Sequence, residues 1–166
     1  VICHIPDLKD LIKSLDFLLS KKGLFIFEEP YLGAMFKKVS YDQIYDAHVF
    51  IFSLHSIKTI FKDYGFDLIN CMPQKTHGGS MRYVLARKNV YKVKSNVGKF
   101  LNKEKKAKLN KFSSCLKFKN DCEKSKKKFR QKILNLKKNG KTICGYAASA
   151  KSTTALNYCK INHNHI

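Results

Sequence analysis

At 166 residues and 44% hydrophobic, the chain has room for one domain, or for one domain and part of another, and enough apolar material for a packed core rather than disorder. Its net charge of +21 is unevenly placed: residues 1–88 hold 12 basic and 9 acidic side chains, a balance of +3, and residues 89–166 hold 21 and 3, a balance of +18. Nearly all of that excess is lysine in Lys/Asn-rich sequence without an aromatic stacking platform, which favours a solvated helical face over a nucleic-acid surface.

The chain opens inside the apolar run Val1-Ile2-Cys3, read as the end of a buried strand, without an initiator Met; further sequence upstream is the expectation. Asp7 can cap a helix whose Leu8, Leu11, Ile12, Leu15, Leu18 and Leu19 follow a helical period, with Gly23 as its stop. Leu24-Phe25-Ile26-Phe27 is an unbroken apolar strand, the kind a sheet covers on both faces. From Glu28 to Ser53 there is little clear period. Ser53 then caps a second helix with Ile57, Ile60 and Phe61 on one face, and Gly65 ends it. Phe66–Met72 and Met81–Arg87 read as strands joined by a polar loop short enough to force an antiparallel hairpin.

Residues 89–140 are Lys-rich and Pro-free, with Phe129, Ile133 and Leu136 as a helical stripe and Asn139-Gly140 as the stop. Thr142–Tyr146 reads as a new strand, followed by a helix from about Ser152 to Cys159, and the chain breaks off after this first βα unit, so a truncated C-terminus is expected. No apolar run reaches the roughly 18–20 residues that a membrane helix needs, and no basic-then-apolar leader is present. Cys3, Cys71, Cys115, Cys122, Cys144 and Cys159 include no C-x-x-C pair, so neither a closed metal site nor a disulfide framework is expected; reduced thiols in apolar runs suit a cytoplasmic protein.

Four segments concentrate chemistry-bearing side chains. Tyr41 to Phe50 crowds Tyr45 and His48 into a stretch beyond a strand's carboxyl end, where α/β sheets place their chemistry; His48 could act as a base near neutral pH, against the plainer reading of a surface imidazole. His4 lies just past the first strand, with Pro6 setting the turn after it. His77-Gly78-Gly79 offers backbone amides to a ligand and Arg82 offers a fork for phosphate or carboxylate; an ordinary hairpin is the plainer reading. Gly145 to Ser152 nearly matches a phosphate-binding loop, but Ala150 stands where the second glycine belongs, which excludes an NTPase; a helix start with Lys151 still suits a phosphate.

The order strand, helix, strand, helix, antiparallel hairpin resembles the C-terminal half of the class I (Rossmann-like) methyltransferase sheet. The segments Val1–Asp7, Glu28-Glu29-Pro30-Tyr31-Leu32, Tyr45–Phe50, His77–Arg82, Gly145-Tyr146 and Ala150–Thr154 with Leu156–Cys159, in that order, resemble S-adenosylmethionine-dependent sugar C-methyltransferases that act on nucleotide-linked keto-deoxysugars. The resemblance implies an α/β fold in three parts: residues 1–88 from a methyltransferase domain, residues 89–140 as a helical linker, and residues 141–166 as the start of a C-terminal Rossmann-like domain. It implies the donor's Gly-rich loop and a zinc-binding region upstream of this chain. It implies His48 as the base that makes an enolate, Tyr45 and His4 beside the keto-sugar, and His77, Gly78, Gly79, Arg82, Tyr146 and Lys151 near the sugar nucleotide. One position departs from the pattern: Ala47 stands where the family usually has Glu. That departure keeps open an impaired remnant that still binds a sugar nucleotide; a basic nucleic-acid-binding protein ranks third, because it leaves the His48 and His77 segments unexplained.

Overall fold

The computed structural model describes residues 1–166 as a mixed α/β chain of six helices and one three-stranded sheet. Helix α1, Leu8–Leu18, starts where Asp7 accepts a hydrogen bond from the Asp10 amide at 2.9 Å. Ile12 is its buried contact, while Phe17 and Leu18 stay in solvent. Strand β1, Leu24–Pro30, follows, then helix α2, Leu32–Lys38, and a 3-10 turn over Tyr41–Gln43. Helix α3, Leu54–Lys62, carries a reciprocal Ser53/Ser56 capping box, and its Leu54, Ile57 and Phe61 form one buried stripe. Gly65 then takes a left-handed φ of +79° that lets the chain turn into strand β2, Phe66–Gln74.

Strand β3, Ser80–Arg87, returns between the other two, giving the order β1-β3-β2 with both pairings antiparallel. The outer strands therefore run parallel to one another, with the hairpin's return strand between them. This is the arrangement expected of part of a Rossmann-like methyltransferase. Strand alternation sends Phe25, Phe27, Met81, Tyr83 and Leu85 to one face, where they join Ile12, Phe61 and Phe66 in the main core. Each such side chain contributes roughly 1.5–3 kcal/mol when fully buried. Prolines fall at Pro30 and Pro73, both on edge strands, where a missing N–H breaks no interior ladder.

Helix α4, Ser95–Lys106, is tied to the sheet by Asn96, whose amide donates to the Asn70 side chain at 2.7 Å and the Cys71 carbonyl at 2.6 Å. Its buried Glu104 reaches the start of α3, accepting from the amides of Leu54 at 2.7 Å and His55 at 2.9 Å, and from the Tyr31 hydroxyl at 3.0 Å. A carboxylate there satisfies two orphan amides and the positive end of the helix dipole. Helix α5, Phe112–Lys138, buries only Cys122 and Ile133 along 27 residues, as a bracing helix with a solvated lysine face does. Helix α6, Ala150–Tyr158, folds back so that Cys159 and Ile161 pack on Ile133, and Tyr41 meets Tyr158 with ring centroids 4.8 Å apart. No helix is long and apolar enough to cross a membrane.

The structure departs from the sequence reading in four places. Val1–Cys3 is not a strand end: Ile2–His4 is a 3-10 turn whose Ile2 and Cys3 amides are taken by the Glu29 carboxylate. The stretch without clear period contains α2 and the Tyr41–Gln43 turn. Strand β1 is not covered on both faces: Leu24 is 44% and Ile26 54% exposed, because no helix lies over that side of its first half. Thr142–Tyr146 forms no strand, since no neighbouring strand satisfies its backbone, and the helix after it begins at Ala150 rather than Ser152.

Candidate active site

The first turn and the segment after the Tyr41–Gln43 turn meet at the carboxyl end of β1. Glu29, at that end and 3% exposed, accepts from the Ile2 amide at 2.6 Å and the Cys3 amide at 3.3 Å, which fixes the turn carrying His4. The Phe50 amide donates to the Cys3 carbonyl at 3.2 Å and draws the second segment alongside. His4 and His48 then lie with ring centroids 5.1 Å apart.

The hydrogen bonds assign the state of His48. Its Nδ1 is 2.8 Å from the Gln43 carbonyl, and a carbonyl oxygen only accepts, so Nδ1 carries the proton. Nε2 of the neutral ring then holds a lone pair, and the Tyr45 hydroxyl donates to it at 2.8 Å. Burial lowers the His48 pKa from the ordinary 6.5; the bond to Gln43 works the other way, and the neighbouring His4 and Lys151 side chains lower it further. The ring is therefore neutral near pH 7, as a base must be. Burial raises the Tyr45 phenol, so it remains a donor. Nδ1 of His4 donates to the Ala47 carbonyl at 2.5 Å, which leaves the other ring nitrogen of His4 without a partner in the protein. Burial pushes the Cys3 thiol up to about 12, so it stands beside these rings as a neutral group.

The glycine loop is joined to this cluster through Gln43, which is 3% exposed. Its Nε2 donates to the His77 carbonyl at 2.6 Å, while its own carbonyl receives His48. Lys38 holds the Gly78 carbonyl at 2.5 Å, and the Gly79 carbonyl accepts from the Tyr31 amide at 3.2 Å. Gly79 sits at φ +127°, and a Cβ there would lie 2.6 Å from that of Ala34, so the position requires glycine. The His77 imidazole itself is exposed.

The structure thus brings His4, Tyr45 and His48 together, and places the charge of Lys151 within reach of His48. A shallow cleft of about 350 Å³ between the Tyr41–Gln43 turn and α6 is lined by Tyr41, Asp42, Lys151 and Ser152. Ser152 is engaged in the Ser149 capping box of α6 and offers no free amide. Arg82 is not part of the cluster. It alternates onto the opposite face of the sheet and pairs with Glu28 at 3.0 Å, which also accepts from Ser80 at 2.6 Å. Tyr146 is fully exposed and meets none of the other site residues. A larger cleft, about 1240 Å³, lies away from His4 and His48, between α3 and the α4–α5 corner, beside Lys58, Lys62 and Lys105.

Glu29, Gln43 and Cys3 are the contributors that sequence spacing alone did not single out. A carboxylate closing an apolar strand was a usable signal for Glu29; the roles of Gln43 and Cys3 depend on contacts 34 and 26 residues away.

A three-stranded sheet whose outer strands run parallel, with a half-buried His/Tyr pair at a strand's carboxyl end, is consistent with part of a Rossmann-like methyltransferase. A family model of the methyltransferase domain matches residues 1–70, and one described as the C-methyltransferase C-terminal domain matches residues 75–166. The chain belongs to the C-methyltransferase family. It is similar to the C-methyltransferase NovU of Streptomyces niveus, 29% identical over 164 residues. That alignment covers 98% of this chain and 39% of the relative, so the chain spans about two fifths of the relative's length.

Proposed function

We propose that the protein acts in S-adenosylmethionine-dependent C-methylation of a nucleotide-linked keto-deoxysugar, at the carbon α to its ketone, with His48 as the base. The observation that carries this reading is the ordered imidazole: Nδ1 is committed to the Gln43 carbonyl and Nε2 presents a lone pair beside Tyr45. Breaking the α C–H bond moves the proton to Nε2 and the electron pair onto the carbonyl oxygen. As Nε2 takes that proton, the Tyr45 hydroxyl is released to donate to the enolate oxygen. His4 closes the site from the other segment, and Lys151 adds a positive charge that favours an anionic, phosphate-bearing substrate. Residues 1–88 supply this proton-handling part, residues 89–140 brace it, and residues 141–166 bring α6 to its edge.

The chemistry that S-adenosylmethionine supplies when bound is a methyl electrophile for the enolate carbon. The residues present do not build its cradle: no G-x-G turn leads from a strand into a helix, and the one glycine between β1 and α3, Gly33, is packed under the Tyr31 ring. The substrate class is supported by the order of the sequence segments and by the kinship to C-methyltransferases. The test is incubation of the full-length protein with methyl-labelled donor and nucleotide-linked keto-deoxysugars. Label on carbon α to the ketone is the expected result; label on oxygen or nitrogen would contradict the reading.

One observation favours a second reading, an impaired relative that retains sugar-nucleotide binding. Ala47, where the resemblance places Glu, meets His4 only through its backbone carbonyl. On that reading Ala47→Glu raises turnover.

A further inference from the structure

We propose that Cys3, His4 and His48 form a three-ligand site for a thiophilic divalent cation, zinc foremost, whose binding occupies the base and stops proton abstraction. One ligand atom from each residue (the Cys3 sulfur and a ring nitrogen of each histidine) lies within 4.8 Å of the others. Ligands on a tetrahedral zinc stand roughly 3.5 Å apart, given metal bonds of about 2.0–2.3 Å. Closing that gap takes a shift of about an ångström between ligand atoms.

A second observation is independent of that proximity. Each histidine already donates Nδ1–H to a backbone carbonyl, His4 to Ala47 and His48 to Gln43. This is the outer support that metal-ligating imidazoles ordinarily carry, because it fixes the ring and presents the Nε2 lone pair. Two imidazoles and a sulfur are a borderline-soft donor set that selects zinc or cobalt over magnesium or calcium. Binding releases the Cys3 thiol proton to solvent as the S–metal bond forms. The Lys151 charge opposes the cation and the new thiolate offsets it. The fourth position falls to water or the Tyr45 hydroxyl, which gives up its bond to His48. Cys3 and His4 are adjacent and His48 lies more than 40 residues further on, so no ligand spacing in the sequence announces the set.

The metal-binding claim stands on geometry alone; the inhibitory claim rests on His48 as base. Cobalt(II) is titrated into the full-length protein and into Cys3→Ser, His4→Asn and, as a buried-cysteine control, Cys71→Ser. A thiolate-to-cobalt charge-transfer band present in the wild type and Cys71→Ser, lost in Cys3→Ser and weakened about tenfold or more in affinity by His4→Asn, is expected. A difference spectrum between wild type and Cys3→Ser removes any other zinc region of the protein. No difference between them, or undiminished affinity in the exposed-site variant His4→Asn, overturns the proposal. Zinc is then added during deuterium exchange of the keto-sugar. Inhibition in the wild type at concentrations at least tenfold below those needed for Cys3→Ser supports the full proposal. A cobalt band without zinc inhibition overturns the inhibitory claim and the assignment of the base, while leaving the metal site in place.

Discussion

Nδ1 of His48 donates to the backbone carbonyl of Gln43 at 2.8 Å, so the residue five positions before the imidazole decides which of its nitrogens can act as a base. The same Gln43 reaches the His77 carbonyl with its side-chain amide at 2.6 Å. One buried residue therefore holds both the His48 imidazole and the glycine loop, and its Oε1 has no partner within the protein.

Gln43→Ala removes the link to His77 but keeps the backbone carbonyl. The imidazole survives in its tautomer and loses its fixed position, so kcat should fall roughly ten- to hundredfold with KM little changed. Steady-state kinetics on the variant check this; a rise in KM at unchanged kcat would mean that Gln43 serves binding instead.

With His48 as the proposed base, the activity is expected to have an acidic limb. Its folded pKa is lowered below the ordinary 6.5, chiefly by burial, so kcat should be flat through neutrality and fall only as pH drops through that lowered value. Lys151→Ala removes a charge that disfavours the imidazolium, so the limb should move to higher pH. Stability follows the same sign: this group's contribution is full above 6.5 and is lost as pH falls through the folded pKa. A pH–rate profile of both proteins, with pH-dependent denaturant melts, reads the direction.

Glu104 ties the Lys-rich half to the sheet half. Glu104→Ala leaves the Leu54 and His55 amides and the Tyr31 hydroxyl without their acceptor, at a cost of about 3 kcal/mol. Glu104→Gln keeps an acceptor and should lose about 1 kcal/mol. Thermal melts should show Tm falling in that order, whereas exchange at His48 in the folded protein should be unaffected.

Much of this is legible in the sequence. Helices α1 and α3 announce themselves by Asp7 and Ser53 caps ahead of a 3.6-residue apolar period, and the β2–β3 hairpin by two apolar runs around a glycine pair. Helix α2 was not legible, because Leu32–Lys38 is only seven residues long and buries Met35 alone. The apolar run Thr142–Tyr146 has strand composition without a strand to pair with, and composition cannot show a missing neighbour. In the site, His4, Tyr45 and His48 stood out by residue type and motif order. Arg82 stood out equally and faces the other side of the sheet, since a position in a motif does not state the pleat. Glu29 and Gln43 act through backbone groups far along the chain, which no local pattern records.

The most direct test of the central claim is α-carbon deuterium exchange of the nucleotide-linked keto-sugar by the full-length protein, comparing wild type with His48→Ala. Exchange in the wild type that is abolished in the variant, with donor binding near normal, is the predicted result. Undiminished exchange in His48→Ala would contradict His48 as the base.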